Sequence, residues 1–164
     1  SSDARATSSS DARATSSSDA GPRAAAYIEG RCLCGGVTLR LDADAKPTHA
    51  AAMCHCNVCR TFHGAPFAME AGFPASACAT DGATTSFRSS KHFERRRCAT
   101  CGTPVGAEHH KLGSVFLPTT LFTRPGRMPR SEFAPTMHLF YERRIVGDAF
   151  EHDGLPKHAA FPPD

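Results

Sequence analysis

Tryptophan is absent from this 164-residue chain, and only two tyrosines occur in it. No stretch approaches the ~18 consecutive apolar residues a membrane-spanning helix needs. Thirteen glycines and twelve prolines interrupt every window long enough for several heptads, which excludes a long coiled coil. Charge of one sign is scarce as well: the formal balance is +3, a modest basic excess that on its face invites a nucleic-acid reading. With 40% hydrophobic and 21% charged residues the chain is nonetheless too balanced to be wholly disordered, and its length fits one domain. What is plentiful is cysteine. There are eight, and seven fall in three tight clusters. No signal-peptide pattern stands ahead of them, so the clusters read as metal ligands in a cytoplasmic protein rather than as a disulfide framework.

Residues 1–23 form a separate compositional region. The string Ser-Asp-Ala-Arg-Ala-Thr-Ser-Ser from Ser2 to Ser9 repeats from Ser10 to Ser17, and no Val, Ile, Leu, Phe or Cys occurs in the segment. Such a sequence cannot bury enough apolar surface to offset its chain entropy, and a disordered tail is expected. Its three aspartates balance its three arginines, which argues against a transit peptide.

Residues 24–164 read as one mainly β domain with little helix. Val37–Leu41 alternates apolar and polar, and Ser86–Arg88, Val115–Leu117 and His138–Tyr141 are further β-type runs between Gly and Pro turns. Helical turns are expected only after Cys56 and near Phe122.

The clusters are Cys32-Leu33-Cys34-Gly35-Gly36, Cys54-His55-Cys56-Asn57-Val58-Cys59 and Cys98-Ala99-Thr100-Cys101-Gly102. A C-x-x-C-G turn is a zinc knuckle, its Gly supplying a positive φ. Pairing the first cluster with the third gives a closed four-cysteine site of Cys32, Cys34, Cys98 and Cys101, hence a structural zinc. Cys54, Cys56 and Cys59 then form a second site one ligand short of a tetrahedron, the general form of a catalytic zinc. Three thiolates make that metal a weak Lewis acid suited to a soft, exchangeable fourth ligand, and a substrate thiol is the natural one. Two other partitions stay open at this level. His55 can complete the second site, or the first cluster can pair with Cys56 and Cys59 and leave Cys98 and Cys101 open. With seven thiolates and two zinc dications the formal positive charge disappears, which argues against nucleic acid as a partner.

The segments Arg31–Val37, Cys54–Arg60, His63-Gly64-Ala65-Pro66-Phe67 and Cys98–Thr103 occur in an order that resembles the glutathione-dependent formaldehyde-activating family, also called the CENP-V/GFA domain. Pro135–His138 and Asp153–Pro156 agree with it. Arg97 stands where an aromatic residue commonly precedes the third cluster, and Ile145-Val146-Gly147 where a Trp is common. The resemblance, over about residues 27–160, implies a β-tent of two small antiparallel sheets stapled by two zinc ions. It assigns Cys32, Cys34, Cys98 and Cys101 to the structural metal, and Cys54, Cys56 and Cys59 to the catalytic one. It also implies a carbon–sulfur lyase that joins glutathione to formaldehyde.

Glutathione carries two carboxylates, and Arg60 is the expected substrate-binding cation, with Lys91 or Arg95-Arg96-Arg97 as further candidates. The arginine run reads more simply as a solvated strand edge. His55 is expected to be exposed, and His63 to be a turn residue or a general acid. His138 is expected to be a hydrogen-bonded structural residue, His109-His110 a surface loop, and Cys78 a small buried residue. A methionine sulfoxide reductase is set aside because no Cys follows Cys101. The remaining alternative is a non-catalytic zinc-stapled binding or chromatin module.

Overall fold

The computed structural model describes residues 27–122 and 130–162; the expected tail, residues 1–23, lies outside them. Within them the chain forms eleven strands, one α-helix and four short 3-10 turns. A three-stranded antiparallel sheet contains β1 (Tyr27–Arg31), β2 (Thr38–Asp42) and β5 (Cys78–Asp81), with β2 in the middle. The larger sheet has eight strands in the order β11-β10-β3-β4-β9-β8-β7-β6. These are β3 (His49–Cys54), β4 (Ala68–Pro74), β6 (Thr84–Arg88), β7 (Phe93–Cys98), β8 (Pro104–His109), β9 (Ser114–Pro118), β10 (Met137–Leu139) and β11 (Lys157–His158). The α-helix, α1 (Asn57–His63), joins β3 to β4.

Alternation explains β2, where Leu39 and Leu41 are buried while Arg40 and Asp42 are exposed. With Val37 they pack on Ala71 and Phe73 of β4, Val105 of β8 and Leu117 of β9 to make the main core. Cys32 and Cys98 belong to the same cluster, so the four-sulfur site is continuous with the core. β3 carries no alternation. Its residues Ala51 to Cys54 are all buried, since the strand is paired on both sides, by β4 and by β10.

Mainly β structure in two sheets agrees with the expectation; the larger sheet is not wholly antiparallel. β10 runs parallel to both β3 and β11. The expected run His138–Tyr141 stops at Leu139, where Phe140 takes the left-handed conformation (φ 54°) and turns the chain into a 3-10 turn at Tyr141–Arg143. Phe140 is the only non-glycine residue with positive φ among those described. The expected turns after Cys56 and near Phe122 are α1 and a 3-10 turn at Thr119–Phe122.

The arginine run requires a correction. β7 lies between β6 and β8 rather than at an edge, and Arg95 is buried.

Candidate functional site

The turn from β1 to β2 carries Cys32 and Cys34, and the turn from β7 to β8 carries Cys98 and Cys101. Their sulfurs all lie within 4.8 Å of one another, with Cys32 to Cys34 at 3.6 Å and Cys34 to Cys98 at 3.7 Å. A tetrahedron with Zn–S bonds of about 2.3 Å has edges of about 3.8 Å, so the donor set and its size fit zinc. Gly102, with φ 72°, makes the knuckle turn possible. Val37 N–H donates to Cys32 Sγ at 3.2 Å, and the Thr103 hydroxyl beside Cys101 draws that thiol down to about 5. The cluster joins residues 64 apart and ties the small sheet to the large one.

Cys54 ends β3, Cys56 caps α1, and Cys59 lies in the first turn of that helix. The Cys56 sulfur accepts from Cys59 N–H at 3.3 Å, as a serine or aspartate N-cap would. Gly64 ends α1 in the left-handed region (φ 61°). The three sulfurs lie within 4.8 Å of one another. Hydrogen bonds from Cys54 and Cys59, the Cys59 N–H and the Arg95 charge pull Cys56 down to about 2. The hydrogen bond to Cys56, with burial, pushes Cys54 up to about 12, and hydrogen bonds to Cys54 and Cys56, with burial and the Glu70 charge, push Cys59 well above the usual thiol range. Three sulfurs this close repel one another as thiolates, and a divalent cation is what lets all three ionise together. The donor set fits zinc here as well.

His55 does not join these ligands. Contrary to the expectation of exposure it is fully buried, and its Nε2 lies 2.9 Å from His138 Nδ1. His138, also fully buried, donates from Nε2 to Asp153 Oδ2 at 2.6 Å. The parallel pairing of β10 with β3 builds this His55–His138–Asp153 chain, and Tyr141, Phe67 and Phe150 pack around it. Burial, then the His138 charge, draws His55 down to about 4 and keeps it neutral near pH 7. His138 is hydrogen-bonded and structural, as its position on a β-run implied.

The three-cysteine site opens on a cavity of about 680 Å³ lined by Cys54, Cys56, Cys59, Glu70 and Arg95 together with a wall of apolar side chains. A second cavity of about 450 Å³, bordered by Thr61, Thr85, Ser86 and Arg97, shares Val58, Ser89 and Arg95 with the first. The four-cysteine cluster lines neither. Arg95 lies against the site: Nη2 is 3.7 Å from Cys59 Sγ, Nε donates to Ser89 Oγ at 3.1 Å, and Nη1 has no partner among the described residues. Glu70 on β4 places Oε2 3.9 Å from Cys59 Sγ and holds His63 Nε2 at 3.1 Å with Oε1.

Arg60, the expected substrate cation, borders neither cavity; its Nε donates to the His55 carbonyl at 3.0 Å and ties α1 to the metal loop. Of the other cations, Arg97 donates to the carbonyls of Gly102 and Phe62 at the edge of the second cavity, and Lys91 borders neither. His109 is not a loop residue. It ends β8, packs on Phe93 and lines the first cavity. Glu70 escaped the sequence reading, although it is the sole Asp, Glu, Lys or Arg between Arg60 and Asp81. A lone carboxylate in so long an uncharged stretch is the signal that marks it.

Residues 27–143 match the family model described as glutathione-dependent formaldehyde-activating enzyme. The chain belongs to that family. No curated protein matches it. Among solved structures it is similar to a Rhodobacter sphaeroides protein from a structural genomics programme, at 21% identity and a TM-score of 0.50, over 66% of this chain and 97% of that one. That likeness concerns the fold. No helix among the described residues is long and apolar enough to cross a membrane.

Proposed function

We propose that this protein is a zinc-dependent carbon–sulfur lyase that adds a thiol, glutathione, to a small aldehyde such as formaldehyde and catalyses the reverse reaction. The observation that carries the reading is the position of Cys54, Cys56 and Cys59 at the wall of a cavity of about 680 Å³, while the four-cysteine cluster lines neither cavity. Zinc held by these three cysteines supplies a place where a thiol ionises and is kept as a nucleophile.

The side chains around it divide the remaining work. Glu70 stands beside Cys59, suitably placed to take the proton a thiol gives up, and the His63 hydrogen bond fixes the orientation of its carboxylate. The same pair returns that proton to the oxygen of the adduct. Arg95 offsets the negative charge gathered at Cys59. The second cavity, with Arg97 and the hydroxyls of Thr61, Thr85 and Ser86, suits the peptide groups and carboxylates of glutathione better than Arg60 does. All eight cysteines are free of disulfides, which fits a cytoplasmic protein.

Exchange NMR of glutathione and formaldehyde with the zinc-loaded protein tests the reading. Exchange faster than the spontaneous reaction is expected, and Glu70→Gln should lower the added rate by about 100-fold while both zinc ions stay bound. No acceleration by the zinc-loaded wild type would overturn it.

A further inference from the structure

The larger cavity is unlike a site made for formaldehyde. Formaldehyde is one carbon and one oxygen, whereas a space of about 680 Å³ falls in the range of pockets for drug-sized ligands, roughly 300–1,000 Å³. One part of its wall is apolar, formed by Phe93, Phe116, Met137, Leu139 and Phe140. Its rim is apolar too: Val58, Leu112 and Phe161 are among the exposed large hydrophobic residues of the protein, at 45%, 54% and 49% exposure, and all three border this cavity. Apolar side chains gathered in solvent around an opening mark a place where apolar ligands enter. Phe140 is held in the wall by a left-handed backbone (φ 54°), a conformation an aromatic residue rarely adopts.

Glutathione does not account for this wall, because its peptide groups and two carboxylates find no hydrogen-bond partners among Phe93, Phe116, Met137, Leu139 and Phe140. Among the described residues, Arg95 is the one Lys or Arg side chain that borders this cavity. Arg95 is 6% exposed, and its Nη1 is buried with no partner among the described residues. Its Nη2 lies 3.7 Å from Cys59 Sγ, so the guanidinium sits beside the three-cysteine site.

We propose that this chamber binds the body of an aldehyde carrying an aromatic or branched aliphatic group, with the carbonyl oxygen received by the Arg95 guanidinium. The assignment rests on the thiol-addition reading above and names the aldehyde class. In the step itself the thiolate sulfur forms a bond to the carbonyl carbon, the π pair of the C=O bond moves onto oxygen, and that oxygen takes up the proton the thiol released. Charge develops on oxygen as the bond forms, and a fixed guanidinium donor stabilises it there. The apolar wall holds the substituent and keeps water from the reacting carbon.

Benzoate is a stable probe of this geometry, with an anionic oxygen where the carbonyl would lie and a ring for the chamber. Its binding to the zinc-loaded protein is measured by NMR titration against formate. Benzoate should bind about 30-fold more tightly, as burial of a ring requires, with nuclear Overhauser contacts from its ring to Leu112 and Met137. Arg95→Met should weaken benzoate about tenfold or more, and Arg95→Lys should restore part of the loss. Leu112→Glu, at an exposed rim position that leaves the core intact, should also weaken it. Equal binding of formate and benzoate, or ring contacts outside the chamber, would overturn the proposal even where glutathione–formaldehyde exchange is fast. Benzoate seated in the chamber of a protein that accelerates no thiol addition would refute the lyase reading and the aldehyde assignment with it.

Discussion

Replacing Cys98 and Cys56 by serine in separate proteins tests the division of labour between the two cysteine clusters. Cys98 is 2% exposed and lies in the main core, and its cluster joins segments 64 residues apart. Closing a loop of that length costs the chain about 4 kcal/mol on the chain-entropy model. Structural zinc contributes about 10–16 kcal/mol in small domains, more than that cost and comparable to the whole stability of a typical domain, about 5–15 kcal/mol. Losing most of the site therefore leaves the sheet-to-sheet closure without its support, and a loss of ~4 kcal/mol lowers the melting temperature by roughly 10–20 °C. Cys56 sits in a different position. Its cluster lies within the six residues from Cys54 to Cys59, so almost no loop entropy is at stake. A serine there still accepts the Cys59 N–H and caps α1. Calorimetry with metal analysis should show Cys98→Ser melting at least about 10 °C lower, or unfolded, and Cys56→Ser within about 5 °C of wild type with one zinc lost. Equal destabilisation by the two substitutions would refute the reasoning, as would a Cys98→Ser protein that melts like wild type.

Two further outcomes follow from local geometry. Lys157 and then His138 hold the Asp153 carboxyl well below the usual carboxylate range. A depressed carboxyl contributes stability above its unfolded value of about 3.9, and that stability is lost as pH falls further. Thermal melts across acid pH should show the midpoint falling below about pH 4. Asp153→Asn should melt lower at neutral pH and with a shallower acid dependence, and an unchanged slope would remove the contribution. Gly64 adopts φ +61° with open space around it, so Gly64→Ala meets only the backbone penalty. Urea denaturation should show a loss of about 1 kcal/mol, and a gain would contradict the capping argument.

The cysteine clusters were readable because ligand spacing is local: each turn holds its own two or three sulfurs before any sheet forms. The helical turn after Cys56 followed the same logic, with a sulfur in the N-cap position and Gly64 at the end. What the chain concealed depends on strand order. Arg95 belongs to a run of three arginines that suits a solvated edge, and only the pairing of β7 between β6 and β8 turns one of them inward to Cys59. His55 looked exposed because most of the residues that cover it, His138, Tyr141 and Phe150, arrive more than eighty positions later, His138 through a parallel pairing. Arg60 is next to the last ligand in sequence, yet the helix carries its side chain back to the His55 carbonyl and away from both cavities. β3 was missed for a related reason: a strand paired on both sides loses the alternation that exposes β2 to inspection.

The central claim is that Cys54, Cys56 and Cys59 hold a metal with a coordination position free for a substrate thiol. Cobalt substituted for zinc reports it directly, because its visible bands respond to the number and kind of ligands. Addition of glutathione should intensify the thiolate charge-transfer bands and shift the d–d bands toward a four-sulfur spectrum in the wild-type protein, and should leave Cys56→Ser unchanged. A wild-type spectrum indifferent to glutathione, or one that already shows four sulfurs at both sites before any thiol is added, would contradict the account.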